Sequence, residues 1–378
     1  MRKMIVVDCT FLTGKYKGAL LSAMCQDGNE QIYPLAFGIA DGENDRSWEW
    51  FFCQLGSFIP DTADTVFISD RHASISRAIR KVYPSAKHGV CTYHLSKNLM
   101  TKFKCKRGTP LFKEAALAFT RSHFDRVFDQ LRKIDEGVAK YLEEIDVRMW
   151  SRAYFEGCRY NIMTSNIAES WNSVLKGAKD YPIVPLFEHI RQTLTQWFFE
   201  RRVKAASWSQ TVTPAVTTHI DILVDKARKL QVNPISAVDY QVKGGHEEYV
   251  VNLTAKTCSC RAFDMIKMPC IHAIGAATWC KMSVHELVDP VYSTTTWRSA
   301  YADCINPINV PIEEWQVEIQ VADQSCAFPS VRRPPGRPKK RRQPSFIEGV
   351  LNKARRPNQC RRCGQRGHNR ATYKEYIR

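Results

Sequence analysis

A chain of 378 residues with 44% hydrophobic content is long enough for two or three domains with sizeable cores. No run approaches the roughly 18 apolar residues of a membrane span, and the opening MRKMIVVDCTFLTGK has too short an apolar run for a signal peptide, so neither secretion nor a membrane partner is expected. The net charge of +17 is uneven: Val331 to Arg378 hold sixteen Lys/Arg against two acids, Glu348 and Glu375, so that tail carries +14 and the rest about +3, which points to a polyanion partner for the tail.

The first predicted element is Met4–Thr10, MIVVDCT, a short Ile/Val-rich run that reads as a buried strand and ends on Asp8. Lys17–Met24 is a second strand, Asp27-Gly28-Asn29-Glu30 a turn signal, and Gln31–Ala40 a third strand, forming a meander. Glu43–Ser47 offers helix-capping chemistry before Trp48, Phe51, Phe52 and Leu55, which share one helical face. The opening pattern then repeats: Thr65–Ser69 is an apolar run leading into Asp70. A helix around Ile75–Val82, a short strand near Ala86–Cys91 and a helix beginning near His94 complete the order βββαβαβα over residues 1–95. If the two acid-tipped strands are neighbours, Asp8 and Asp70 converge and repel unless a cation lies between them. Taken singly, each aspartate could equally begin a turn or cap a helix.

Residues 96–160 read as an all-helical insertion, with helical spacing over Glu114–Phe119, Phe124–Ile134 and Val138–Ile145. A basic cluster at its start, Lys97, Lys102, Lys104, Lys106 and Arg107, is either a solvated face or a nucleic-acid contact. Residues 161–230 are helical again. There Asn166, Glu169 and Asn172 recur at a spacing of three, lining either a hydrophilic cleft or a solvated helix face.

The fourteen cysteines are expected in a reducing compartment, where clustered cysteines are more often metal ligands than disulfides. Within residues 240–285, Cys258, Cys260, Cys270 and His272 form a Cys₃His set suited to tetrahedral zinc, with Tyr249–Leu253 as its strand and Ala273–Trp279 as its helix. Residues 286–330 read as a linker. The tail, 331–378, holds Arg332–Arg342, whose prolines and like charges preclude a packed core, so it is expected to be disordered. Its Gly-Arg-Pro centre with Arg337, Lys339, Lys340, Arg341 and Arg342 resembles an AT-hook for A·T-rich minor grooves, and the same residues read as a nuclear localisation signal or a solubilising linker. Cys360, Cys363 and His368 open a zinc knuckle whose fourth ligand position is Tyr373, a poor partner for zinc.

Together these stretches resemble the transposases of plant Mutator-like elements. The likeness is carried by VVDCTFLTGKYKGALLSA around Asp8, ISDRHASISRAI around Asp70, HGVCTYHLSKNL, SNIAESWNSVL around Glu169, the Cys258–His272 cluster as a SWIM-type finger, and PGRPKK with the knuckle. The resemblance implies a ribonuclease-H-like α/β core interrupted by a helical insertion. It also implies a catalytic triad of Asp8, Asp70 and Glu169 holding Mg²⁺ or Mn²⁺ for DNA cleavage and strand transfer, since hard cations prefer oxygen ligands. Cys91 and His94 match a Cys/His motif of the family. DNA is the implied partner, with a homo-oligomer admitted, and the nucleus the implied site of action. The family's DNA-end-binding region lies upstream of the first core strand, where this sequence starts. The alternative to a transposase is a truncated or domesticated DNA-binding regulator without catalysis, or an inert transposon remnant.

Overall fold

The acid-tipped run forms strand β1 (Met4–Phe11), and its apolar continuity has a direct cause. Met4 and Val6 enter one buried cluster while Ile5 and Val7 enter another, so the strand is covered on both faces and needs no alternation. β2 (Ala19–Gln26) and β3 (Ile32–Ala40) complete the expected antiparallel meander. β4 (Val66–Ser69) and β5 (Lys87–Val90) add parallel on the other side of β1, giving a five-stranded mixed sheet in the order β3-β2-β1-β4-β5.

This computed structural model describes residues 2–15, 17–245 and 247–307. The chain divides into a unit ending at Val331 and a second from Arg332 to Arg378, and every described residue belongs to the first. The tail residues read above as an AT-hook, Arg337 to Arg342, and as a knuckle, Cys360, Cys363, His368 and Tyr373, lie outside the described residues.

One face of the sheet is covered by α1 (Asp45–Gly56) and α2 (Ala73–Val82). Asn44 caps α1 by accepting from the Ser47 amide at 2.9 Å, and Trp48, Phe51, Phe52 and Leu55 are all buried against the sheet. From β5 the chain enters α3 (Thr92–Lys102) and then the helical insertion: α4 (Gly108–Leu117), α5 (Arg121–Ile134), α6 (Glu136–Glu144) and α7 (Val147–Trp150). These helices bury their own cluster around Phe112, Phe124, Leu131 and Trp150. α4 starts at Gly108, ahead of the expected Glu114; it packs along α5, and Pro110 is tolerated in its first turn, where its missing N–H costs nothing. The chain returns beside its point of departure: both the amide and the hydroxyl of Thr92 donate to the Met163 carbonyl, each at 2.9 Å.

α8 (Asn166–Val174) and α9 (Ile183–Ser207) then cover the second face of the sheet through Ile167, Trp171, Leu186 and Ile190. After α10 (Pro214–Ala227) comes a second sheet in the order β6-β7-β8-β9: β6 (Gln231–Pro234), β7 (Asp239–Gly244), β8 (Glu247–Asn252) and β9 (Thr257–Cys258). It packs on α11 (Ala262–Ile266) and α12 (Ile271–Trp279), so this subdomain begins at Gln231, ahead of the expected residue 240.

The linker expectation changes. Residues 286–307 of the expected linker fold back on the core, with Tyr292, Trp297 and Tyr301 fully buried and α13 (Thr294–Ala300) packed on α9. Their aromatic content supplies the apolar area that a linker lacks. The Asp27–Glu30 turn forms as expected, and the same segment buries it. Asp27 is buried and accepts from Trp297 Nε1 at 3.0 Å and the Tyr301 hydroxyl at 2.8 Å, while a Cβ at Gly28 would stand 2.7 Å from the Val291 carbonyl.

Candidate active site and metal centre

Sheet register sets the first two acids. β1 and β4 run parallel with Val6 opposite Ile68, so two residues further on Asp70, just past the end of β4, comes beside Asp8, which lies inside β1. Side chains alternate across a sheet, which places Asp8 on the face of Met4 and Val6, the face that α8 covers. α8 brings Asn172, whose Nδ2 donates to Asp8 Oδ2 at 2.8 Å, and one turn earlier Glu169.

Burial pushes the Asp8 carboxyl up to about 7; His94 opposes this, and the charges of Asp70 and Glu169 reinforce it. Asp70 and Glu169, far from Asp8 in sequence, thus lie near enough for their charges to act on it. Asp70 Oδ1 is oriented by the His72 amide at 2.9 Å, which caps the turn into α2. Among the described residues, the three carboxylates do not form a group with every ligand atom within 4.8 Å of the others.

The Cys91-x-x-His94 pair sits against the third acid. Cys91 is fully buried at the start of α3, where its Sγ accepts from the amide and hydroxyl of Ser165 at 3.2 and 3.3 Å. Burial alone would lower the His94 imidazole, but its hydrogen bond and attraction to Cys91, with the charges of Glu169 and Asp8, hold it up at about 9. Burial opposes ionisation of Cys91, yet the bond to His94 brings its thiol below the ordinary value. His94 Nε2 then stands 3.6 Å from Glu169 Oε1, a cation at the edge of the acidic cluster. The junction that closes the insertion, Cys91 and Thr92 against Met163 and Ser165, thereby also fixes the start of α8 and the place of Glu169.

The second cluster is tighter. One ligand atom from each of Cys258, Cys260, Cys270 and His272 lies within 4.8 Å of the others. His272 Nδ1 is 3.6 Å from Cys258 Sγ and 3.8 Å from Cys270 Sγ. A zinc tetrahedron with Zn–S near 2.3 Å and Zn–N near 2.0–2.1 Å spaces its ligands by about 3.5–3.8 Å. Hydrogen bonds from Cys260 and Cys270, with burial, push the Cys258 thiol up, and the same contacts push Cys260 down, so the set cannot ionise together without a cation. Cys258 ends β9, but Cys260 lies in the turn beyond it, and Arg261 at φ 63° carries the chain away. A strand therefore places Cys258, and the turn aims Cys260. Cys270 caps α12, and the Tyr249 ring stacks on His272 with centroids 3.9 Å apart.

Residues 4–98 match the model of the MULE transposase domain, and residues 249–280 match that of the SWIM zinc finger. The chain thus carries a stretch like a MULE transposase domain and a stretch like a SWIM zinc finger. No curated protein matches it. The MULE domain covers the strands bearing Asp8 and Asp70 together with Cys91 and His94, and the SWIM finger covers all four thiol and imidazole ligands. The finger's donor set, three thiols and an imidazole at tetrahedral spacing, fits Zn²⁺.

Sequence reasoning misses Glu43, which reads there only as capping chemistry. Its carboxylate accepts from Trp48 Nε1 at 3.3 Å, lies 4.0 Å from His72 Nδ1, and is pushed up by burial and by Asp70, so it belongs to the rim of the acidic cluster. The signal that could have found it is position: the loop from β3 into α1 ends beside the β4 terminus whenever both helices cover one face. No motif points to Arg152 and Arg159, which are buried where the insertion rejoins the core.

Proposed function

We propose that this chain is a DDE-type DNA transposase, with a ribonuclease-H-like core and a divalent-cation-dependent site for DNA cleavage and strand transfer. The observation that supports the reading is the sheet register that brings Asp70 beside Asp8, with Glu169 of α8 close enough for its charge to act on Asp8. The β3-β2-β1-β4-β5 order, with helices on both faces, suits the ribonuclease-H-like assignment. Carboxylates suit Mg²⁺ or Mn²⁺, and a cation would relieve the repulsion that lifts Asp8. Divalent ions bound there supply activation of the attacking hydroxyl and stabilisation of the leaving oxygen.

The chain's own residues have separate tasks in this reading. Asp8 offers its oxygens from within β1 and Asp70 from just past the end of β4. Asn172 holds Asp8 in one rotamer, and His94, anchored through Cys91, limits the swing of Glu169. The SWIM finger holds zinc as a structural site closed by four protein ligands. The basic tail, through Arg337, Lys339, Lys340, Arg341 and Arg342, contributes sequence-tolerant DNA affinity, and the protein acts in the nucleus.

The test is cleavage or strand transfer on DNA carrying the element's terminal repeats, in Mg²⁺ or Mn²⁺. Activity that disappears in Asp70→Asn with folding intact supports the reading. DNA binding without cleavage, unchanged by that substitution, would leave a DNA-binding regulator, the reading that the His94–Glu169 contact favours by placing a side-chain cation in the acidic cluster.

A further inference from the structure

Among the described residues three buried arginines, Arg152, Arg159 and Arg201, form no ion pair with a carboxylate; Arg201 still acts on the charge of Asp27 and donates to the Tyr301 hydroxyl, whereas the other two share a cleft. Arg152 is 6% exposed and Arg159 3%, and among the described residues neither forms an ion pair with a carboxylate. Arg152 donates to the Leu117 carbonyl at 3.0 Å and to Asn161 Oδ1 at 2.5 Å, and its guanidinium lies over the Phe119 ring. Its Nε is buried with no partner. Arg159 donates to backbone carbonyls, those of Ile162, Met149 and Val90, at 3.3, 3.4 and 3.3 Å, near the long limit for such bonds, and its guanidinium lies over the Phe155 ring. The carbonyls of Leu117 and Met149 end or nearly end α4 and α7, so the helix termini offset part of the charge. Burial still pushes both guanidiniums well down, Arg152 to about 10 and Arg159 to about 9; Arg152 further lowers Arg159, and Cys91 opposes this only in part.

A buried charge normally has a partner, because an unpaired one costs several kcal/mol. Both arginines line a small cleft shared with Gly157 and Asn161 from the insertion's exit, and with Met265 and Ile266 of the SWIM finger. Its volume, about 10 Å³, admits one water-sized group. The finger is fixed there, since Cys158 Sγ donates to the Met265 carbonyl at 3.4 Å and the Tyr292 hydroxyl to that of Ile266 at 2.9 Å.

The geometry points to an oxyanion site: the Arg152–Arg159 cleft accepts an oxygen of one phosphate group, supplied by the phosphodiester backbone of bound DNA. The cleft is too narrow for a base or a whole nucleotide, which selects for the backbone. A phosphate held there would brace the insertion, the core and the finger at a single point. That an oxyanion binds follows from the arginines; that DNA supplies it rests on the proposed DNA-processing function.

The probe is inorganic phosphate, titrated into the full chain at constant ionic strength, with the thermal midpoint and calorimetry as readouts. Saturable stabilisation by phosphate that chloride does not reproduce is expected. Asn161→Asp supplies the missing carboxylate to Arg152 in place. It is expected to raise the midpoint without phosphate and to weaken phosphate binding at least tenfold. If phosphate gives the unaltered chain nothing beyond chloride, the arginines only clasp carbonyls and the proposal is overturned. A saturating DNA duplex should abolish the phosphate response. Asn161→Asp should weaken duplex binding several-fold and reduce the salt slope by about one. A phosphate response that persists under saturating duplex overturns DNA as the source and leaves free phosphate as the ligand. A chain that binds phosphate but no duplex refutes the DNA-processing reading while the oxyanion site stands.

Discussion

Single residues here carry charge in places that the fold makes expensive, and those places govern the response to metal and pH. Replacing Cys260 by Ser removes one of four ligands that lie within 4.8 Å of one another. Zinc content measured after chelator-free purification should fall from about one ion per chain to near zero, and an unchanged content would refute the finger's ligand set. His88 gives a pH effect of definite sign. Burial, with Arg159 and Arg80, pulls its imidazole down to about 4, and its Nε2 is bonded to Ser69 Oγ at 2.9 Å. The folded chain refuses a proton that the unfolded chain accepts below its ordinary value near 6.5. Stability from this group is therefore whole above pH 6.5 and drains as pH falls towards 4. His88→Gln should flatten that decline by about 2 kcal/mol, discounting for partial exposure of the ring, as read from urea midpoints at pH 7 and pH 4.5. Equal slopes in the two proteins would show that His88 titrates freely.

At the scale of elements, α8 decides whether three acids form a site. It presses Trp171 into the second face of the sheet, stacked on Phe37 with centroids 5.1 Å apart, and holds Glu169 and Asn172 over β1. Trp171→Ala should cost about 3–5 kcal/mol, the usual range for a buried aromatic, and should weaken divalent-cation binding more than the equally buried Trp150→Ala in the insertion. Equal effects on cation binding would mean that α8 orders no site. Much of this is legible in the sequence. The βββαβαβα order, the buried face of α1 and the Cys₃His spacing follow from periodicities of 2 and 3.6 and from ligand chemistry, which are local signals. Helix boundaries inside the insertion are not: the start of α4 at Gly108 depends on packing against α5. Nor is the role of Glu43, or the burial of Arg152 and Arg159, since each depends on segments distant in sequence meeting in space.

For the whole molecule, the two ends of the chain after α12 make different contributions. Residues 286–307 complete the core: Trp297 and Tyr301 close over Asp27, whose carboxyl burial pushes up and whose oxygen both aromatic donors satisfy. Composition conceals this, because the charged tail dominates the C-terminal third while the aromatics are few and spaced. Cutting the chain after Ser293 therefore exposes a buried acid together with the Tyr33 and Phe198 rings that pack on Tyr301. That truncation should lower the thermal midpoint by many degrees or abolish cooperative unfolding, since losing a buried network's partners costs about 1–3 kcal/mol per group before any loss of packing. Cutting after Ser330 removes sixteen of the 55 Lys/Arg residues and leaves the network whole. The midpoint should then hold while DNA affinity falls and its dependence on salt flattens, because each phosphate that the protein no longer neutralises takes about one unit off the log–log slope. A tail-less chain that still binds duplex with an unchanged slope would move the electrostatic contact onto the folded unit, and the Arg152–Arg159 cleft is where Asn161→Asp would then have its largest effect.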